Sequence, residues 1–91
     1  MARRVRWTRR ALRRLDEIAA HIAADNPSRA ASFVGELRAK VGVLAAHLPG
    51  KPGRVYGTRE LVLHRHYLAV YRVRSEEVHI LTVLHTARKW P

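Results

Sequence analysis

Pro49-Gly50-Lys51-Pro52-Gly53 divides the 91-residue chain in two: two prolines and two glycines in five positions end any regular element, and the hydrophobic period changes across them. Before the break apolar residues recur every three or four positions; after it they alternate. A helical half followed by a strand half makes an α+β chain rather than an alternating βαβ one.

Upstream, Leu12, Leu15, Ile18, Ala19 and Ile22 form one apolar stripe of a helix that Thr8 caps and that runs to about Ala24. Asp25-Asn26-Pro27 closes it and opens another, with Asn26 as cap and Pro27 at the first helical position. In the second helix Ala30, Val34, Leu37, Val41, Leu44 and Leu48 supply the seam, so an antiparallel helical hairpin is expected.

Downstream, three strands are expected at Arg59 to Leu63, Tyr67 to Val73 and Val78 to Leu84. His64-Arg65-His66 and Arg74-Ser75-Glu76-Glu77 join them into an antiparallel meander. Tyr67, Ala69, Tyr71 and Val73 share one face, which the helices cover, and Leu68, Val70 and Arg72 share the other. Ahead of the first helix, Arg3-Arg4-Val5-Arg6-Trp7 alternates as well; this short strand completes the sheet and turns Trp7 to the core. No repeat or linker interrupts the pattern, so residues 1–91 read as one domain.

Eighteen Lys and Arg against 7 Asp and Glu give a charge of +11, which calls for a polyanionic partner, either nucleic acid or an acidic protein. Only three of the 18 are lysines, and arginine is the better bidentate partner for carboxylate or phosphate. With 47% hydrophobic residues the chain folds rather than remaining disordered. The absence of cysteine excludes a disulfide scaffold, a thiolate zinc site and a cysteine nucleophile, and fits a cytoplasmic protein. No apolar run approaches the roughly 18 residues that span a bilayer, so no membrane association is expected. Arg3, Arg4, Arg6, Arg9, Arg10, Arg13 and Arg14 imitate a transit peptide, but Asp16 and Glu17 interrupt that pattern.

The order of elements and the strings Val5-Arg6-Trp7-Thr8, Asp25-Asn26-Pro27, Thr58-Arg59-Glu60-Leu61-Val62, Tyr67-Leu68-Ala69-Val70-Tyr71-Arg72-Val73 and Ile80-Leu81-Thr82-Val83-Leu84-His85-Thr86-Ala87-Arg88 resemble the RelE/ParE superfamily of type II toxin-antitoxin toxins, the plasmid stabilisation proteins. The resemblance implies a sheet with the helical hairpin packed on it. It also implies a hetero-oligomer with an acidic antitoxin, through which alone the toxin reaches operator DNA. Two activities occur in the superfamily: cleavage of messenger RNA on the ribosome, and inhibition of DNA gyrase without nuclease chemistry.

Cleavage by 2′-hydroxyl attack needs a base, an acid and cations about the phosphate. RelE-like nucleases carry an arginine directly after the position of Tyr67, where this chain has Leu68, and a late tyrosine or histidine, whereas no tyrosine follows Tyr71 here. The Leu84-His85-Thr86-Ala87-Arg88 ending resembles the ParE branch, so a gyrase inhibitor is favoured over a ribosome-dependent nuclease, and an inactivated toxin serving as co-repressor is a third reading. In the nuclease alternative His85, Arg88, Glu60 and Arg72 supply acid, base and phosphate clamps. The residues expected to meet antitoxin or target are Arg59, Arg72, His85, Arg88, Lys89 and Trp90.

His85 has the acid-base range of a catalytic residue, but a structural role closing its strand is favoured. Arg59 and Glu60 are neighbours on one strand and therefore point to opposite faces. His64 and His66 lie two apart and invite a metal reading with His79 or His85, but they fall in a turn without carboxylate or thiolate company, so no metal and no cofactor is expected.

Overall fold

The computed structural model describes residues 3–47 and 51–86. In chain order the elements are β1 (Arg4–Trp7), α1 (Arg9–Ala23), α2 (Pro27–Gly42) continuing into a 3-10 turn at Val43–Ala45, β2 (Lys51–Pro52), β3 (Arg59–His64), β4 (Tyr67–Arg74) and β5 (Glu77–His85). The five strands form one sheet in the order β1-β5-β4-β3-β2.

The sheet is mixed. β3, β4 and β5 form the expected antiparallel meander, whereas β1 runs parallel to β5, with Val5 beside Val78 and Trp7 beside Ile80. The proline-rich break contains a strand of its own, since Lys51 and Pro52 pair antiparallel with Glu60 and Arg59. Pro52 is tolerated there because β2 is the sheet's outer strand. Gly53 follows because its backbone N–H donates to the Thr58 carbonyl at 2.8 Å, and a Cβ at position 53 would collide with the Thr58 hydroxyl.

Both helices lie on one face. Ala11, Leu15 and Ile18 of α1 and Phe33, Leu37 and Val41 of α2 close with Leu44 over Leu63, Ala69, Tyr71, Val78, Ile80 and Val83. Each fully buried side chain of this size contributes about 1.5–3 kcal/mol, so this layer carries most of the stability. Two details differ from the expected stripes. In α1 Leu15, Ile18 and Ile22 of the expected stripe face the core, but Ala11 rather than Leu12 occupies its first turn and Leu12 is 40% exposed at its margin. In α2 the buried line is Ala30, Phe33, Leu37 and Val41, with Val34 only half-buried at its margin; Leu48 lies outside the described residues.

Helix side chains complete the sheet where its ladder breaks. The register slips opposite Val70 and Tyr71, leaving Leu81 as an extra residue in β5. Thr8 serves both sides of that bulge: its hydroxyl accepts from Ala11 N at 3.2 Å, capping α1, and donates to Ile80 O at 2.7 Å. A second slip lies between Val62 and His64, and the Leu63 carbonyl accepts from Lys40 Nζ at 2.6 Å. Beyond the end of β1, the Val83 carbonyl accepts from Arg14 Nε at 3.1 Å, which blunts the exposed edge of β5. Trp7 packs against the core with the Arg38 guanidinium 5.7 Å above its ring.

Candidate functional site

Alternation along β4 and β5 sorts the candidate residues between two faces. At the end of the sheet nearest the β3–β4 turn, His85 lies across from Tyr67 and packs on it edge-to-face at 5.5 Å, on the helix-covered side. His66 stacks on the His85 ring at 5.4 Å. His64 and Tyr67 both pack edge-on against Phe33, at 5.1 and 5.6 Å, and Arg29 lies 5.3 Å from the Phe33 ring. His64 therefore belongs to the end of β3 and is half-buried, while His66 remains in the exposed turn. Among the described residues no group of three or more His, Cys, Asp or Glu side chains is disposed to hold a metal ion.

Arg59 and Glu60 do point apart. Arg59 Nε donates to the Tyr71 hydroxyl at 3.1 Å, within the helix-covered layer. Glu60 faces the other side, is 3% exposed, accepts from Arg54 N at 3.0 Å and pairs with Arg54 Nε at 3.3 Å. A buried carboxylate needs such a cation, yet the pairing was not visible in the sequence because Arg54 comes from the β2–β3 loop.

On the face away from the helices, β4 and β5 bear two regions. Leu68, Val70 and Leu84 form a small apolar cluster with Leu81. Towards β1 the surface becomes charged. Arg72 lies across from His79, and His79 lies beside Arg6; Arg74 lies across from Glu77, and Glu77 lies beside Arg4. Glu77 Oε1 is 2.9 Å from His79 Nε2, and Glu77 Oε2 is 3.6 Å from Arg6 Nε. The hydrogen bond to His79, reinforced by the charges of Arg6, His79 and Arg4, holds the Glu77 carboxyl below its ordinary range.

Of the three nuclease candidates among the described residues, Glu60 and Arg72 share the open face and His85 does not join them. Arg72 and His85 sit five positions apart along the β4 register, roughly 16 Å, and on opposite faces. The Glu60 carboxylate is committed to Arg54. Arg88, Lys89 and Trp90 lie outside the described residues. Arg3 is half-buried ahead of β1, and the other N-terminal arginines divide three ways: Arg4 and Arg6 on the sheet face, Arg9, Arg10 and Arg13 exposed on α1, and Arg14 turned to the Val83 carbonyl and to Glu17. Arg54 is the residue sequence reasoning passed over, while Tyr71 was placed only by its face and His79 only as a candidate metal ligand. Only strand alternation could have singled out His79, as the partner on the face of Arg72. Among the described residues no helix is long and apolar enough to cross a membrane.

Comparison with known proteins gives a consistent result. The profile described as ParE toxin of type II toxin-antitoxin system, parDE, matches residues 5–90. The protein named "Putative toxin Y4kP" in Sinorhizobium fredii is 50% identical over 91 residues, covering 98% of this chain and 94% of its own length. Among solved structures, the chromosomal ParDE toxin-antitoxin system of P. aeruginosa superposes with a TM-score of 0.87 at 30% identity, over 92% of this chain and 96% of that one. The RelBE2 toxin-antitoxin complex of Mycobacterium tuberculosis superposes less closely, with a TM-score of 0.61 at 26% identity over 93% of this chain and 99% of that one.

Proposed function

The chain belongs to the ParE toxin family of type II toxin-antitoxin systems, and from that membership we propose that it arrests growth by binding DNA gyrase and is neutralised by an acidic antitoxin made alongside it. The observation that carries the choice of target is the separation of His85 from Arg72 and Glu60, the other described nuclease candidates. A phosphoryl-transfer centre needs acid, base and cations within a few ångströms of one phosphate. His85 and Arg72 stand on opposite faces, and the position after Tyr67 holds the buried Leu68.

The partner follows from charge. An extended acidic segment that orders on binding covers a large positive surface, and a chain at +11 attracts it over a distance. The similar structures from P. aeruginosa and M. tuberculosis are themselves toxin-antitoxin systems, which supports an antitoxin as the constitutive partner in the cytoplasm. Operator DNA is then reached through the antitoxin.

Pulse labelling after induction tests this reading. Incorporation of thymidine should fall and the DNA-damage response should rise before amino-acid incorporation changes. An immediate block of amino-acid incorporation, with codon-linked cuts in primer extension, would transfer the protein to the nuclease class, and induction with no growth defect would make it a co-repressor.

A further inference from the structure

Two rows of side chains cross three strands on the face away from the helices: Arg4, Glu77 and Arg74 in one, Arg6, His79 and Arg72 in the next. Arginines occupy all four corners, roughly 6.7 Å apart along the strands and roughly 9.6 Å apart across them. Glu77 engages Arg6 and His79 at the centre. Arg4, Arg72 and Arg74 have no ion-pair partner among the described residues, and Arg4, Arg6 and Arg74 are exposed while Arg72 is half-buried.

We propose that this four-arginine face binds the phosphate backbone of duplex DNA without regard to sequence. Four guanidiniums held by a rigid three-strand platform present paired donors at the pitch of neighbouring phosphates on a strand, and arginine reads phosphate bidentately. The one ring among the six positions is the His79 imidazole, which Glu77 engages at 2.9 Å, so no row of free aromatic faces is offered to unstacked bases and a duplex with its bases inside fits better than a single strand. A three-strand platform is wider than the α-helix or two-stranded ribbon that a major groove admits, so its contacts stop at the backbone. Glu77, the turn residue Glu76 and Glu60, diagonal to Arg72, are the carboxylates beside it; Glu77 is occupied by Arg6 and His79 and Glu60 by Arg54, which leaves the corner charges in excess. The choice of DNA over RNA rests on the gyrase reading, because gyrase presents the toxin with bound DNA; the phosphate chemistry of the face does not depend on it.

The test is fluorescence anisotropy of the full-length toxin, purified without antitoxin, on a fluorescein-labelled duplex DNA of random sequence across a salt series. Arg4→Ala/Arg72→Ala/Arg74→Ala should lower the slope of log affinity against log salt by about 2–3 and weaken binding at low salt by at least about tenfold, equally for unrelated sequences. Arg9→Ala/Arg10→Ala/Arg13→Ala, which removes the same charge from exposed positions on α1, should leave slope and affinity nearly unchanged. Equal losses in the two triple variants would reduce the effect to net charge and overturn the proposal. So would tighter binding to the matching single strand or to duplex RNA, or displacement of the duplex by equimolar polyglutamate, which would assign the face to an acidic peptide. Circular dichroism melts of both variants establish that they are folded. A toxin that inhibits gyrase without binding DNA removes this inference alone, and one that binds the duplex without touching gyrase removes the target.

Discussion

His85 and Arg72 lie on opposite faces and towards opposite ends of the same pair of strands, His85 across from Tyr67 and Arg72 across from His79. No single phosphate can be reached by both, so neither depends on the other for whatever it does. His85 instead forms part of an aromatic stack with Tyr67 and His66. His85→Ala should leave growth inhibition intact and lower stability by about 1 kcal/mol, the scale of a lost ring contact. Urea melts and a dilution series of induced cells measure the two separately.

Glu60 is held in place by Arg54 rather than poised for proton transfer. Glu60→Gln should cost about 1–2 kcal/mol of stability by weakening charge-assisted hydrogen bonds, and toxicity should survive at permissive temperature. Arg54→Ala should cost more, about 2–3 kcal/mol, since it leaves a nearly buried carboxylate with only a backbone N–H as its named donor. The reverse pattern, a stable but inactive Glu60→Gln protein, would make Glu60 a catalytic base.

Thr82 is 1% exposed and its hydroxyl has no hydrogen-bond partner among the described residues. Thr82→Val keeps the shape and removes the unsatisfied group, so it should raise stability by about 1 kcal/mol. A loss of stability on chemical denaturation would mean that the hydroxyl is bonded in solution.

The depressed Glu77 carboxyl sets an acid limit. A carboxyl whose folded value lies below its ordinary 4.5 favours folding once ionised, so its contribution is complete above about pH 4.5 and disappears as pH falls through the folded value. The stability difference between the native chain and Glu77→Gln should therefore shrink as pH falls below about 5. Urea midpoints from about pH 5 downward read it directly; a difference that grows there would contradict an ionised carboxylate paired with His79 and Arg6.

Periodicity alone exposed most of the architecture. The hairpin at Asp25-Asn26-Pro27 and the alternation of Tyr67 to Val73 each have a local physical cause, and each element formed where that cause placed it. What escaped depends on contacts between distant segments. Nothing in Arg4–Trp7 says that β1 will run parallel to β5, and nothing in Lys51-Pro52 announces a pairing with β3. Phe33 missed the expected seam because its burial comes from the packing of α2 over His64 and Tyr67 as well as from its own helix. For the site, alternation correctly parted Arg59 from Glu60, yet their partners Tyr71 and Arg54 required the fold. The grid of Arg4, Arg6, Arg72 and Arg74 draws on both ends of the chain and became visible only once β1 was placed beside β5.

The measurement that bears most directly on the central claim is a DNA supercoiling assay with purified gyrase and purified toxin, run beside primer extension on messages translated in the same toxin's presence. The account predicts loss of supercoiling at micromolar toxin, reversed by the cognate antitoxin, with the translated messages uncut. Undiminished supercoiling together with codon-linked cleavage would contradict it.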